Sequence, residues 1–186
     1  MRRGHNGRAI LRVGSEMLQP PPIIDVEASG LGAGSYPIEV GCALPDGRSY
    51  CALIKPMDDW LHWDPAAEAM HGITRAILAE HGLPPLSVAI RLNTLLQGST
   101  IYSDAWGHDS SWLAKLHDAA GVPASYRVEV LSRITPQVEA EHWNSIRADV
   151  EKSLHVRRHR ASADARVLQM TWMCVMFGDL PPQIEA

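Results

Sequence analysis

The sequence predicts an α/β protein, a mixed sheet with helices packed on both faces. Three observations lead there. Short apolar runs follow one another between residues 23 and 54, separated by turn residues, as in an antiparallel meander. From residue 100 onward, short apolar runs alternate with longer stretches of helical spacing, the pattern of strands joined through helices. The length of 186 residues, with 46% hydrophobic and 20% charged residues, suits one ordinary domain with a full core.

Residues 1–21 read as a mobile basic tail without sustained periodicity, and residues 22–186 as the folded domain. Met17, just before Pro20-Pro21-Pro22, is a candidate alternative start. The first strand is Ile23-Ile24-Asp25-Val26-Glu27-Ala28, bounded by Pro22 and by Gly30. Pro37 to Leu44 and Ser49 to Ile54 are the next two strands, joined by the turn Pro45-Asp46-Gly47-Arg48. Asp64-Pro65 opens a helix that stops near His71-Gly72; Thr74 caps a second, ended by Gly82; Leu86 to Leu96 is a third, ended by Gly98. Thr100 to Ser103 is a strand, Asp109 to Ala120 a helix, Tyr126 to Leu131 a strand and Pro136 to Val150 a helix. A basic loop, Ser153 to Arg160, leads into the last helix, Ser162 to Phe177, which Gly178 and Pro181 terminate.

Charge excludes some functions. The net charge is −4, and Arg2, Arg3, Arg8 and Arg12 against Glu16 give residues 1–21 a charge of +3, so the remainder carries −7 (−4 minus +3). A chain so balanced does not grip long duplex by bulk charge, although acids that hold metal are compatible with a nucleic-acid enzyme. No apolar run is long enough to span a bilayer, so no membrane is expected as partner. Cys42, Cys51 and Cys174 are odd in number and lack ligand spacing, which points to small buried side chains in a reducing, cytoplasmic compartment.

The first strand carries the chemistry. Alternation puts Asp25 and Glu27 on one face, where two half-buried carboxylates are costly unless neutralised. Carboxylate oxygens suit a hard cation such as Mg²⁺ or Mn²⁺. Further acids stand where α/β sheets present their chemistry: Asp104 at a strand end, Asp109 at a helix start, and Asp164 with His159 around the start of the last helix. Taken singly each has a plain reading. Asp-x-Glu is common on exposed strands, Asp164 suits a helix first turn, His159 suits a solvated basic loop, and His71 suits a helix end. Six Trp against one Phe is unusual; Trp112 and Trp172 read as core, while Trp60, Trp63 and Trp106 are candidates for base stacking. Arg157, Arg158 and Arg160 read as a solvated loop or as phosphate contacts.

Together these motifs resemble the DEDDh group of 3′–5′ exonucleases, the family of proofreading exonucleases, ribonuclease T and oligoribonuclease. Asp25-Val26-Glu27 matches its Asp-x-Glu motif, and His159 to Ala165 matches His-x-Ala-x-x-Asp-Ala. His71-Gly72-Ile73-Thr74 matches a His-Gly-Ile-Thr segment often found between them. The resemblance runs from Ile23 to about Trp172. Between these motifs the chain reads Ser103-Asp104-Ala105-Trp106-Gly107-His108-Asp109, which fits the five-residue gap of oligoribonuclease-like members. That register favours Asp109 as the third acid, with Asp104 orienting a ligand or water, or else taking Asp109's place. Many members carry Thr after the Glu; Ala28 stands here, which leaves a hydroxyl contact to substrate unaccounted for.

The resemblance implies a ribonuclease H-like fold, a mixed five-stranded sheet flanked by helices. It implies two Mg²⁺ or Mn²⁺ ions held by Asp25, Glu27, Asp109 and Asp164, and His159 as the base that takes a proton from water. Gly30, Leu31 and His71 are then expected beside the terminal nucleotide of single-stranded nucleic acid or a short oligonucleotide. A second copy of the chain, or a polymerase or other replication or repair protein, is the expected protein partner. Two other readings keep the fold: a catalytically silent nucleic-acid-binding module, and a ribonuclease H-like endonuclease. DNA and RNA are not distinguished by any motif.

Overall fold

The computed structural model describes residues 11–13, 16–155 and 159–178. In chain order the elements are β1 (Leu11–Val13), β2 (Glu16–Leu18), β3 (Ile23–Ala28), β4 (Pro37–Ala43), β5 (Ser49–Leu53), α1 (Pro65–His71), α2 (Arg75–His81) and α3 (Pro85–Leu96). There follow β6 (Thr100–Ser103), α4 (Trp106–Ala120), β7 (Arg127–Val130), α5 (Ala140–Leu154) and α6 (Ala161–Phe177).

The main sheet has five strands in the order β5-β4-β3-β6-β7. β3, β4 and β5 form the antiparallel meander, and β6 and β7 join parallel to β3. This is the mixed five-stranded sheet expected. The β4–β5 turn closes as its residues dictate: Gly47 takes φ +86°, and the Asp46 carboxylate accepts from the Arg48 amide at 3.1 Å.

Alternation along β3 and β4 divides the core in two. Ile24, Val26, Ile38, Val40 and Cys42 face Val88 and Leu92 of α3 and Trp112, Leu113 and Leu116 of α4. Ile23 and Ala43 face Val150 of α5 and Ala165, Leu168 and Trp172 of α6. Each fully buried aliphatic side chain contributes about 1.5–3 kcal/mol. Asp25, Glu27, Glu39 and Gly41 continue the second face toward the carboxyl end of β3, where the apolar residues stop.

The helix-end signals take their expected forms. Asp64 accepts from the Ala66 amide at 2.8 Å, and Gly72 ends α1 in a left-handed conformation. Thr74 accepts from the Ile77 amide at 3.2 Å and starts α2. His71-Gly72-Ile73-Thr74 is therefore locally a helix stop followed by a helix start.

Within the stretch expected as a tail, β1 and β2 pair antiparallel; three residues each is too short for alternation to register in the sequence. Three expectations are corrected. α4 begins at Trp106, one turn before Asp109, because the Ala105 carbonyl already accepts from His108 and Asp109; Gly107 masks this start. α5 begins at Ala140 rather than Pro136 and runs on to Leu154, shortening the basic loop. Trp60 is core, stacked on Tyr36 with ring centroids 5.1 Å apart, and offers no face for a base. Arg157 and Arg158 lie outside the described residues.

Candidate active site

The acids gather where β3 and β6 end. β3 is central, so its carboxyl end is walled by neighbours on both sides, the crevice in which open α/β sheets place ligands. Register fixes what faces the two acids: Gly41 of β4 lies across from Asp25, and Glu39 across from Glu27. Gly41 is there for close approach. A Cβ on it would overlap the backbone of Ala161 and Ser162, so its hydrogen lets the start of α6 lie directly on the sheet. That docking brings His159 and Asp164 to Glu27. The three offer donor atoms all within 4.8 Å of one another, the one such group among the described residues.

Asp109 arrives from the other side. In the first turn of α4 it is buried, and the Ser103 hydroxyl donates to its Oδ2 at 2.5 Å. Asp25 and Asp109 are outside the tight three-donor group, and their tie to it is electrostatic. Burial raises the Asp25 pKa well above the carboxylate range, and Asp109, Glu27, Asp164 and Asp104 push it further up. Glu27 is pushed up to about 7, by burial first and then by Asp164, Glu39 and Asp109, with Arg160 opposing. Burial also takes Asp109 to about 7, against the Ser103 hydrogen bond. Carboxylates crowded this way repel one another until cations lie among them. The donor set, oxygen-rich with one imidazole, fits a hard divalent cation.

The start of α6 is held by an ion pair. Glu39 is fully buried, and its carboxylate accepts from Arg160 Nε at 3.0 and 3.1 Å, from Arg160 Nη2 at 2.5 Å and from the Ala161 amide at 2.8 Å. His159 takes a left-handed backbone with φ +58°, and its amide donates to Asp164 Oδ2 at 2.9 Å. Asp104 is apart from the donor group: its carboxylate accepts from Arg147 of α5 at 3.3 Å. It adds negative potential to Asp25 and Asp109.

Beyond β3, the residues expected near substrate separate into open and buried. Gly30 has φ +141°, and a Cβ there would press on Asp64 and His62 at 2.6 and 2.8 Å, so both conformation and space require glycine. Leu31 is 69% exposed, open to solvent just beyond β3. His71 is buried: its Nδ1 accepts from the Ile73 amide at 3.0 Å and its ring meets the edge of Trp63. Its ring is therefore closed off from solvent. The Ser29 hydroxyl does not replace the one missing at Ala28, because it accepts from the Tyr36 amide at 3.1 Å and bonds His62 Nδ1 at 3.1 Å. Trp63 lies under the Arg75 guanidinium and donates to Glu68, while Trp106 is half exposed and donates to the Val128 carbonyl.

Sequence reasoning missed Glu39, Ser103 and Arg147. Glu39 had a signal: it is the lone acid in Pro37-Ile38-Glu39-Val40-Gly41-Cys42-Ala43, a strand buried along its whole length. A buried acid implies a cation partner, but that the partner is Arg160, 121 residues away, is not local information.

No family model matches the chain, and no curated protein matches it. Solved structures do. The zinc-bound form of Escherichia coli exonuclease I with single-stranded DNA superposes at TM-score 0.57 with 14% identity, over 87% of this chain and 42% of that one. The same enzyme with a 13-residue dA oligonucleotide gives TM-score 0.59 and 13% identity, over 86% and 41%. Exonuclease I from Methylocaldum szegediense, a moderately thermophilic form, gives TM-score 0.61 and 15% identity, over 86% and 41%. The chain thus spans about two fifths of the length of these exonucleases. What it shares with them is the fold, a ribonuclease H-like mixed five-stranded sheet flanked by helices.

Proposed function

We propose that the chain is a metal-dependent 3′–5′ exonuclease that releases 5′-mononucleotides from single-stranded DNA or RNA ends, short oligonucleotides included. The observation that carries this reading is the convergence of Asp25, Glu27, Asp109 and Asp164 with His159 at one end of the sheet. The fold shared with exonuclease I, which has been solved with single-stranded oligonucleotides, supports the substrate class.

Asp25, Glu27, Asp109 and Asp164 would hold two Mg²⁺ or Mn²⁺ ions, whose chemistry when bound is to activate water and to stabilise the leaving oxygen. His159 takes the proton of the attacking water, and its left-handed backbone and place beside Glu27 and Asp164 set the ring at the acid cluster. Ser103 holds the Asp109 carboxylate in one orientation. Leu31, exposed just beyond the strand, lies against the base of the terminal nucleotide, its place set by the turn at Gly30, which packs on His62 and Asp64. Asp104, held by Arg147, orients rather than binds.

Purified protein with Mg²⁺ or Mn²⁺ is expected to shorten a 5′-labelled single strand stepwise and to leave a circular single strand intact. Cutting of the circle would replace this reading with an endonuclease. His159→Ala is expected to slow turnover by about 10²–10⁴-fold while Mn²⁺ still binds. An unchanged rate would remove His159 from the mechanism, and lost Mn²⁺ binding would make it a ligand instead.

A further inference from the structure

We propose that Glu39 is a positioning residue for the metal site: by gripping Arg160 it keeps that guanidinium off Glu27 and leaves the Glu27 carboxylate to a divalent cation. The inference rests on the metal-dependent reading above. Glu39 and Glu27 are direct cross-strand partners on the same face of the sheet. Side chains so placed have Cβ atoms only about 4.5–5.5 Å apart, and like charges there repel. Arg160 lies near both acids, and among the described residues the hydrogen bonds of its guanidinium go to Glu39. Arginine binds a carboxylate through two prongs, so a guanidinium that turned to Glu27 would occupy the oxygens a cation needs.

The grip is built to prevent that turn. Glu39 is fully buried and also accepts from the Ala161 amide, so its carboxylate is fixed on two sides. Arg160 in turn fixes the chain around it, because its carbonyl accepts from the Asp164 amide at 3.0 Å and from the Ala163 amide at 2.8 Å. The two donors that share the cluster with Glu27, His159 and Asp164, flank this anchored residue.

The test is Mn²⁺ affinity measured by calorimetry on protein without substrate, with circular dichroism to check folding. Glu39→Gln releases Arg160 to Glu27, and Mn²⁺ binding is expected to weaken by about 10–100-fold. Adding Arg160→Met to Glu39→Gln removes the competitor, and affinity is expected to recover to within about threefold of wild type, since a buried ion pair replaced on both sides is tolerated. Arg160→Met alone removes the competitor while Glu39 stays in place, and is expected to bind Mn²⁺ within about threefold of wild type. A purely structural pair predicts instead that Arg160→Met binds Mn²⁺ as weakly as Glu39→Gln. Wild-type affinity in Glu39→Gln, or a double variant as weak as the single one, overturns the inference. Should Glu39→Gln not fold, Arg160→Met decides alone, and Mn²⁺ affinity lost there by about tenfold or more overturns the inference. Wild-type protein that binds Mn²⁺ and cuts no oligonucleotide sinks the exonuclease reading and leaves this test intact.

Discussion

Asp25 concentrates the conflict in this fold. It is desolvated within the central strand, and four other carboxylates raise its pKa further. Removing its charge should relieve the metal-free protein and ruin the site. Asp25→Asn is expected to stabilise the apo form by on the order of 1 kcal/mol and to abolish both cleavage and tight Mn²⁺ binding. Parallel urea melts and activity assays check this, and a destabilised, active variant contradicts it. The same scale favours Asp109 over Asp104 among the proposed ligands. Asp109 is buried and held by Ser103, whereas Asp104 is drawn aside to Arg147. Both are acids at a strand–helix junction, and the difference between them is burial.

Among the elements, α6 decides whether the site exists. It carries His159 at its threshold and Asp164 in its first turn, and it can approach β3 only because Gly41 has no side chain. Gly41→Ala is expected to cost about 1–3 kcal/mol and to lower Mn²⁺ affinity, because the start of α6 must lift from the sheet. Gly107→Ala is the contrasting case. It lies inside α4 with nothing within 4 Å of an added Cβ, so it is expected to stabilise by about 0.5–1 kcal/mol. Denaturation midpoints for the pair separate a glycine needed for packing from one that only weakens a helix. Most elements were legible because their signals are local: the Asp-Gly turn, the Asp64 and Thr74 caps and the glycine stops. The early start of α4 was hidden by Gly107, and the β1–β2 ribbon by its shortness.

For the molecule as a whole, the crowded acids couple stability to pH and to metal. Glu27 and Asp109 ordinarily ionise near 4.5 and 3.8 and here near 7, so they hold protons more tightly when folded. Between roughly pH 4 and 7 the folded protein therefore binds more protons than the unfolded chain, and metal-free stability falls as pH rises through that window. Cations compete with those protons, so Mn²⁺ is expected to raise the melting temperature more at pH 8 than at pH 5.5. Thermal melts with and without Mn²⁺ at the two pH values test this, and an equal shift at both would show that the acids do not bind the ion. Among the described residues, no helix is long and apolar enough to cross a membrane.

The sequence by itself determined the five strands of the main sheet, most of the helices, the pairing of Asp25 with Glu27 on one face, and the acids and histidine worth watching. These follow from periods of two and 3.6 residues and from caps and turns, all written within a few positions of one another. Only the tertiary structure decided which of those residues meet. Register set Gly41 against Asp25 and Glu39 against Glu27, docking of α6 closed the cluster of Glu27, His159 and Asp164, and burial parted Trp60 and His71 from the open surface. The Glu39–Arg160 pair joins residues 121 positions apart, and its purpose depends on a third, Glu27, that neither adjoins in sequence. No local pattern encodes such a triangle, because it exists only once the sheet is in register and the last helix lies upon it.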